Sequence, residues 1–375
     1  VDSKGRGGAL EGYLRDILSQ PDEFEGAFES TVAAVEAVLT PAVALSVTDV
    51  VIAGCGDSYC AAVAAVMAFE RFAGVRTRAL TSMALSRYHT ALPMYGTAVI
   101  AISVSGGTAR TVEGLRRAQR AGAMTIGVSA NSGSQLAKDA DRFVASQVAP
   151  ADVHGPDART YMSSLLVLLL AAIQLGEARG HLNGAEATEA RAQLLATGES
   201  MRATLRDCDP AAKSAAAALV EQGYGAIVAV GAGPGLGSAH FAAAKIIEAS
   251  GDHAWAQDGE EWAHIEYWMS DRAMPTILFA MPGRAYDRLS EQLETMSRIG
   301  CRALVVAPVG DPVLRRTSLP LPVAATPEEA FSPLVSAVAV ELLSYYLVDA
   351  AMLPMYAVTR DDDQSGPSNR IRLPS

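Results

Sequence analysis

Ser103, Ser105 and Thr108, set around Gly106 and Gly107, have the types and spacing to do chemistry. Three hydroxyls donate, and two glycines let backbone N–H groups come close, so the stretch can hold a phosphate monoester without a lysine. A helix starting directly after it would add unpaired N–H groups and a favourable dipole. The same composition also suits an ordinary Gly/Ser-rich turn that caps a helix. An earlier loop, Gly54-Cys55-Gly56-Asp57-Ser58, is similarly small and polar. Further on, Lys245 and Glu248 stand three residues apart and would share a helix face. Glu261-Trp262-Ala263-His264 sets a carboxylate and an imidazole at the same spacing. Glu248 and His264, a carboxylate and an imidazole that titrates near neutrality, are the candidates for proton transfer. Taken singly, such a Glu and His are more often a solvated face and a packed core residue.

These residues need elements to hold them. The apolar run 99–102 reads as a buried parallel strand, followed by the 103–108 loop and a helix with Val112 and Leu115 on its apolar stripe. Before it, 47–53 and 75–80 read as strands, 59–72 as a buried helix and 82–88 as a short one. After it come a strand at 123–128 and an edge strand near Phe143. Helices are expected over 159–179 and 185–205, with the pattern restarting after Pro210. That restart gives a strand at 226–230, a glycine turn at 231–237 and a helix at 238–250. A strand at 275–281, a helix at 284–299 and a strand at 303–307 follow. At the start, 10–39 reads as helix broken at Gln20-Pro21. The spacing repeats: Gly54 and Gly106 are 52 apart, and so are Gly231 and Gly283. Two copies of one doubly wound parallel α/β unit explain that register. The copies differ, because Met281-Pro282-Gly283-Arg284-Ala285 carries no hydroxyl where the first copy has its loop. One phosphate site per chain is expected, in the first copy.

Composition bounds the partners. The 375 residues exceed one ordinary core, and half are hydrophobic. A formal net charge of −11 argues against nucleic acid or an anionic membrane surface as partner. Four scattered cysteines with no Cys/His cluster fit a reduced, cytoplasmic protein with no metal and no cofactor. The longest apolar run, 165–173, is too short to span a bilayer, and no leader-like segment opens the sequence.

These loops and their spacing resemble the sugar isomerase (SIS) family, and in particular its two-domain members related to the isomerase half of glucosamine-6-phosphate synthase. The likeness covers nearly the whole chain. It implies two tandem flavodoxin-like domains: a helical segment at 1–40, a phosphate-loop domain at 41–205, a second domain at 206–350 and a closing tail at 351–375. It carries ligand-binding roles to Gly56, Asp57 and Ser58, and to the phosphate signature Ser103, Ser105, Gly106, Gly107 and Thr108. It makes Glu248 the catalytic base, with Lys245 as a second catalytic residue that holds a sugar hydroxyl or stabilises an enolate, and Glu261 in the binding set. It makes His264 the ring-opening residue, contributed by the neighbouring subunit of a homodimer. The sequence departs from the family at Val104, where the synthases usually have Gln, at Asp57 in place of a usual Thr, and at Phe241, in place of a glutamate. Arg372 falls near the synthase's Schiff-base lysine; an arginine stays protonated and forms no imine, so Arg372 is expected to bind substrate by clamping an anion or hydroxyl. With no amidotransferase domain before residue 1, glutamine-dependent synthesis is not expected.

The implied reaction is aldose–ketose isomerisation of a sugar phosphate, or release of an amine from an amino-sugar or ketosamine phosphate. A non-catalytic phosphosugar sensor is the alternative; it would keep the loop but need no base. A dinucleotide site at Gly231-Ala232-Gly233-Pro234-Gly235 is weaker, since the third glycine is misplaced and no acidic residue follows at the right strand end.

Overall fold

The computed structural model describes residues 3–148, 156–271, 273–353 and 355, with residues 3–7 as backbone only. The chain divides into two compact units. Among the described residues, the first holds 23–148 and 159–195; the second holds 3–22, 156–158, 196–271, 273–353 and 355.

In the first unit β1 (Asp49–Gly54), β2 (Arg76–Thr81), β3 (Thr97–Ile102), β4 (Met124–Ser129) and β5 (Arg142–Ala145) form one parallel sheet in the order β2-β1-β3-β4-β5. Every residue of β3 is buried, as its Ala/Val/Ile run 98–102, covered on both faces, should be. In the second unit β6 (Ile227–Gly231), β7 (Ala254–Asp258), β8 (Thr276–Phe279), β9 (Ala303–Pro308) and β10 (Leu319–Val323) repeat that order as β10-β9-β8-β6-β7, again parallel. The glycine register therefore marks a duplicated doubly wound unit. The repeat extends to backbone angles: Gly56 (φ 56°, ψ −131°) and Gly233 (φ 53°, ψ −127°) precede the equivalent helices Asp57–Ala68 and Pro234–Ser250.

Two expected breaks are not there. One helix, Ser3–Val38, runs through Pro21. An interior proline costs about 3 kcal/mol, but Ile17, Gln20, Pro21, Phe24 and Phe28 make one buried stripe whose burial outweighs it. Helix Gly184–Gln222 likewise passes Pro210. Buried Thr204, Cys208, Ala212, Ala215 and Leu219 continue its inner face while Pro210 stays outside. The run 165–173 belongs to a longer helix, Arg159–Arg179. With Glu329–Ala350, it is long and apolar enough to cross a membrane by length and composition, yet 89% of each apolar window is buried inside the fold. Arg159–Arg179 packs on helix Asp57–Ala68, and Ser332–Ala350 packs on Pro234–Ser250.

Candidate functional site

In the first unit the chain leaves β1 toward β2 on one side and returns as β3 on the other. The carboxyl ends of β1 and β3 therefore flank a crevice, the usual ligand position in an open α/β sheet. Both crevice loops are shaped by glycine. A Cβ on Gly54 would lie 2.6 Å from that of Ser58, and Gly56 has a positive φ that side chains disfavour. Asp57 enters the first turn of its helix, where a carboxylate meets the positive end of the dipole, and Ser58 is buried beside it.

The 103–108 loop is pinned at its base, where Ser103 N donates to Val128 O at 3.0 Å. The Ser103 and Thr108 hydroxyls bond each other at 2.9 Å, and Gly106 N donates to Ser103 Oγ at 3.1 Å. Ser105 is exposed and accepts from Gly107 N at 3.2 Å. Gly106 has φ +65°, and a Cβ there would fall 2.1 Å from Ser134 Oγ. Thr108 does not cap the helix Ala109–Arg120 that follows. Its hydroxyl pairs across the loop instead, so a ligand oxygen can replace an intraloop bond without uncapping the helix.

The next turn of that helix holds a cluster the sequence reading did not find. Glu113 is fully buried and ion-paired with Arg87 (2.8 Å), Arg110 and Arg117 (3.2 Å). Three guanidiniums thus gather on one carboxylate within a turn of the loop. The signal was the i, i+3 and i, i+4 spacing from Arg110 through Glu113 to Arg117. A cavity of about 400 Å³, lined by Thr90, Leu92, Tyr95, Arg117 and Arg120, opens at the far end of the same helix, away from the loop.

In the second unit Lys245 and Glu248 do share a helix face, with Lys245 Nζ 2.5 Å from Glu248 Oε2. The Lys245 side chain is 1% exposed and that of Glu248 39%. Burial of the ammonium is offset by this carboxylate, by the Asp157 carbonyl at 3.3 Å and by the Phe241 ring at 5.2 Å. Phe241, the apolar departure, is thus part of the wall that holds the lysine. Beneath lie Gln20, whose Nε2 donates to the buried Glu341 Oε2 at 2.5 Å, and Tyr13, bonded to Ser344 at 2.9 Å. Burial, and then the Glu341 charge, push the Tyr13 hydroxyl well above its ordinary pKa, so it stays a neutral donor.

His264 ends the short helix Gly259–His264 after β7, with its side chain 70% exposed. Its partner is Glu260, with Nε2 3.4 Å from Oε1, while Glu261 faces solvent. Glu260 also binds Arg288 at 2.8 and 3.1 Å. Arg288 first, and His264 after it, hold the Glu260 carboxyl below its usual range. Trp262 is core, whereas Ile265, Trp268 and Met269 are exposed around His264.

Topology separates Glu248 from His264. The helix Pro234–Ser250 runs from the carboxyl end of β6 back to the start of β7, so Glu248, near its last turn, lies at the amino edge of the sheet. His264 follows the carboxyl end of β7. A strand length, ~15 Å, lies between those edges. Arg372 and the tail 356–375 lie outside the described residues. Among the described residues no three His, Cys, Asp or Glu side chains gather as a metal site.

Residues 46–174 match the family model for the SIS domain. The chain is 25% identical over 359 residues to a glutamine–fructose-6-phosphate aminotransferase (isomerizing) of Clostridium perfringens, covering 93% of this chain and 58% of that one. It is 27% identical over 353 residues to the Symbiobacterium thermophilum protein of the same name, covering 92% and 57%. The chain thus spans under three-fifths of the length of these curated relatives. Among solved structures, the C-terminal domain of glucosamine-fructose-6-phosphate aminotransferase from Francisella tularensis superposes with TM-score 0.78 at 19% identity, covering 91% of this chain and 96% of that one. A glucosamine-6-phosphate deaminase from Thermotoga maritima does so with TM-score 0.69 at 18% identity, covering 91% and 94%. At those identities the superpositions establish the fold.

Proposed function

With residues 46–174 a SIS domain, we propose that this chain is a phosphosugar-processing enzyme. It interconverts an aldose and a ketose phosphate, or releases an amine from an amino-sugar or ketosamine phosphate. One observation carries the reading: a glycine-and-hydroxyl loop at the switch point of a parallel sheet, with its hydroxyls turned on each other rather than into a cap.

The sugar's phosphate exchanges the Ser103–Thr108 bond for two bonds to its own oxygens, next to the N-terminus of Ala109–Arg120 and the Glu113 arginines. Glu248 is the base. In a 2-ketose it takes a proton from C1, and the electron pair forms the C1–C2 double bond of an enediol as O2 takes up a proton; Glu248 then returns a solvent-exchangeable proton to C2 while O1 gives up its own, which leaves the C1 aldehyde. The buried Lys245 holds that carboxylate in place; it is a positioning residue. His264 transfers the proton that opens the sugar ring, drawing on Glu260 as its partner. Glu248 and His264 sit at opposite edges of one sheet, so a ligand that meets both takes His264 from a second copy. The exposed Ile265, Trp268 and Met269 are suited to that homodimer contact. The four free cysteines fit a cytoplasmic setting for this enzyme.

Calorimetry with fructose 6-phosphate, glucosamine 6-phosphate and the parent sugars tests the reading. Binding that requires the phosphate supports it, and equal affinity for the unphosphorylated sugars contradicts it.

A further inference from the structure

The second unit repeats the crevice of the first. It has the same strand order, a matching Gly233 before the helix Pro234–Ser250, and a loop at 280–285 before the helix Tyr286–Arg298. That loop carries no hydroxyl, but its crevice is not empty. Glu329, which opens the turn Glu329–Phe331 after β10, lays its carboxylate there. Glu329 Oε2 accepts from Arg284 N at 3.1 Å. The position a Cβ would take on Gly283 lies 2.1 Å from Glu329 Cδ and 2.3 Å from Oε1, so only glycine allows this approach. On the other wall, the Cβ position of Gly233 is 3.9 Å from Glu329 Oε1.

We infer that Glu329 is an internal stand-in for a phosphate: its carboxylate fills the duplicated anion site and closes the second unit to external oxyanions. Three observations on this chain carry the inference: a glycine-lined crevice at a switch point, a backbone N–H just before a helix, and an anionic group seated between them. Those are the components a tetrahedral oxyanion requires. The missing hydroxyls alone do not close the site, since backbone N–H groups can bind an anion unaided. Glu329 is thus the residue that restricts phosphate binding to the first unit. The inference rests on the phosphate-loop reading only for the identity of the first site.

The test uses the full chain and inorganic phosphate as the probe. The parent is the Ser103→Ala/Thr108→Val chain, whose own loss of phosphate binding against wild type reports on the first loop separately. Adding Glu329→Ala removes the carboxylate and should raise phosphate affinity about tenfold or more over that parent, with melting temperature rising in phosphate. Adding Glu329→Gln, which keeps the shape and occupies the space, should give no such gain. A folded Glu329→Ala chain that binds phosphate no better than its parent overturns the inference. If that variant is unstable, phosphate must restore its melting temperature more than sodium chloride of equal ionic strength does; equal effects of the two salts overturn it as well.

Discussion

At the scale of single residues, two kinds of partner separate what the sequence reveals from what it hides. Lys245 and Glu248 meet because three residues along a helix is a contact distance, and that was legible. Glu260 was not singled out, although the i, i+4 spacing to His264 favours their pairing once 259–264 is known to be helical. Glu329 was invisible, because its partner Arg284 is 45 residues away and only the fold joins them. The loop hydroxyls yield the first prediction. Each charge-assisted hydrogen bond to a phosphate contributes about 1.5–3 kcal/mol, so Ser103→Ala/Thr108→Val should weaken a sugar phosphate by roughly two to four orders of magnitude, read by calorimetry. Glu260 yields the second. Its folded-state carboxyl is more acidic than in the unfolded chain, so the stability it adds is present above the unfolded value and lost as pH falls through the folded one. Glu260→Gln should therefore melt slightly below wild type near neutrality and level with it in acid, across a series of thermal melts.

At the scale of elements, the buried strands declared themselves and the irregular ones did not. β3 from Ala98 onward and β9 are unbroken apolar runs, the mark of strands covered on both faces. β7, Ala-Trp-Ala-Gln-Asp, is half-buried throughout and gives no such run. β10 contains Pro320 and Pro322, which argue against a central strand; it pairs only with β9, at the sheet edge where proline is tolerated. The prolines at 21 and 210 were misleading because propensity is local, whereas the stripes that hold those helices are tertiary. The loop glycines give a paired prediction. Gly106→Ala must relieve both a positive φ and a 2.1 Å collision with Ser134, and should cost about 1–3 kcal/mol in denaturant unfolding along with ligand binding. Gly107→Ala meets only Ser105 Oγ at 3.8 Å and should fold like wild type.

At the scale of the whole molecule, duplication was readable from glycine spacing alone, because tight turns fix glycine at the same register in both copies. The sequence could not show that the copies differ by more than a lost loop, since the second crevice is filled from a distant segment. Opposite sheet edges for Glu248 and His264 lead to a prediction about assembly. Inactive Glu248→Gln and His264→Ala chains, mixed and allowed to exchange, should recover activity in hybrid dimers; no recovery, with exchange demonstrated, would place His264 outside the working site. The most direct measurement is hydrogen exchange between solvent and the C1 and C2 positions of fructose 6-phosphate, glucosamine 6-phosphate and a 6-phospho-ketosamine, followed by NMR in D₂O. The wild-type chain should introduce deuterium into at least one of them. Glu248→Gln, which keeps shape but removes the base, should slow that exchange by roughly 10²–10⁴ while still binding the sugar. Tight binding with no exchange into any of the three would make the chain a phosphosugar sensor, and undiminished exchange by Glu248→Gln would contradict Glu248 as the base.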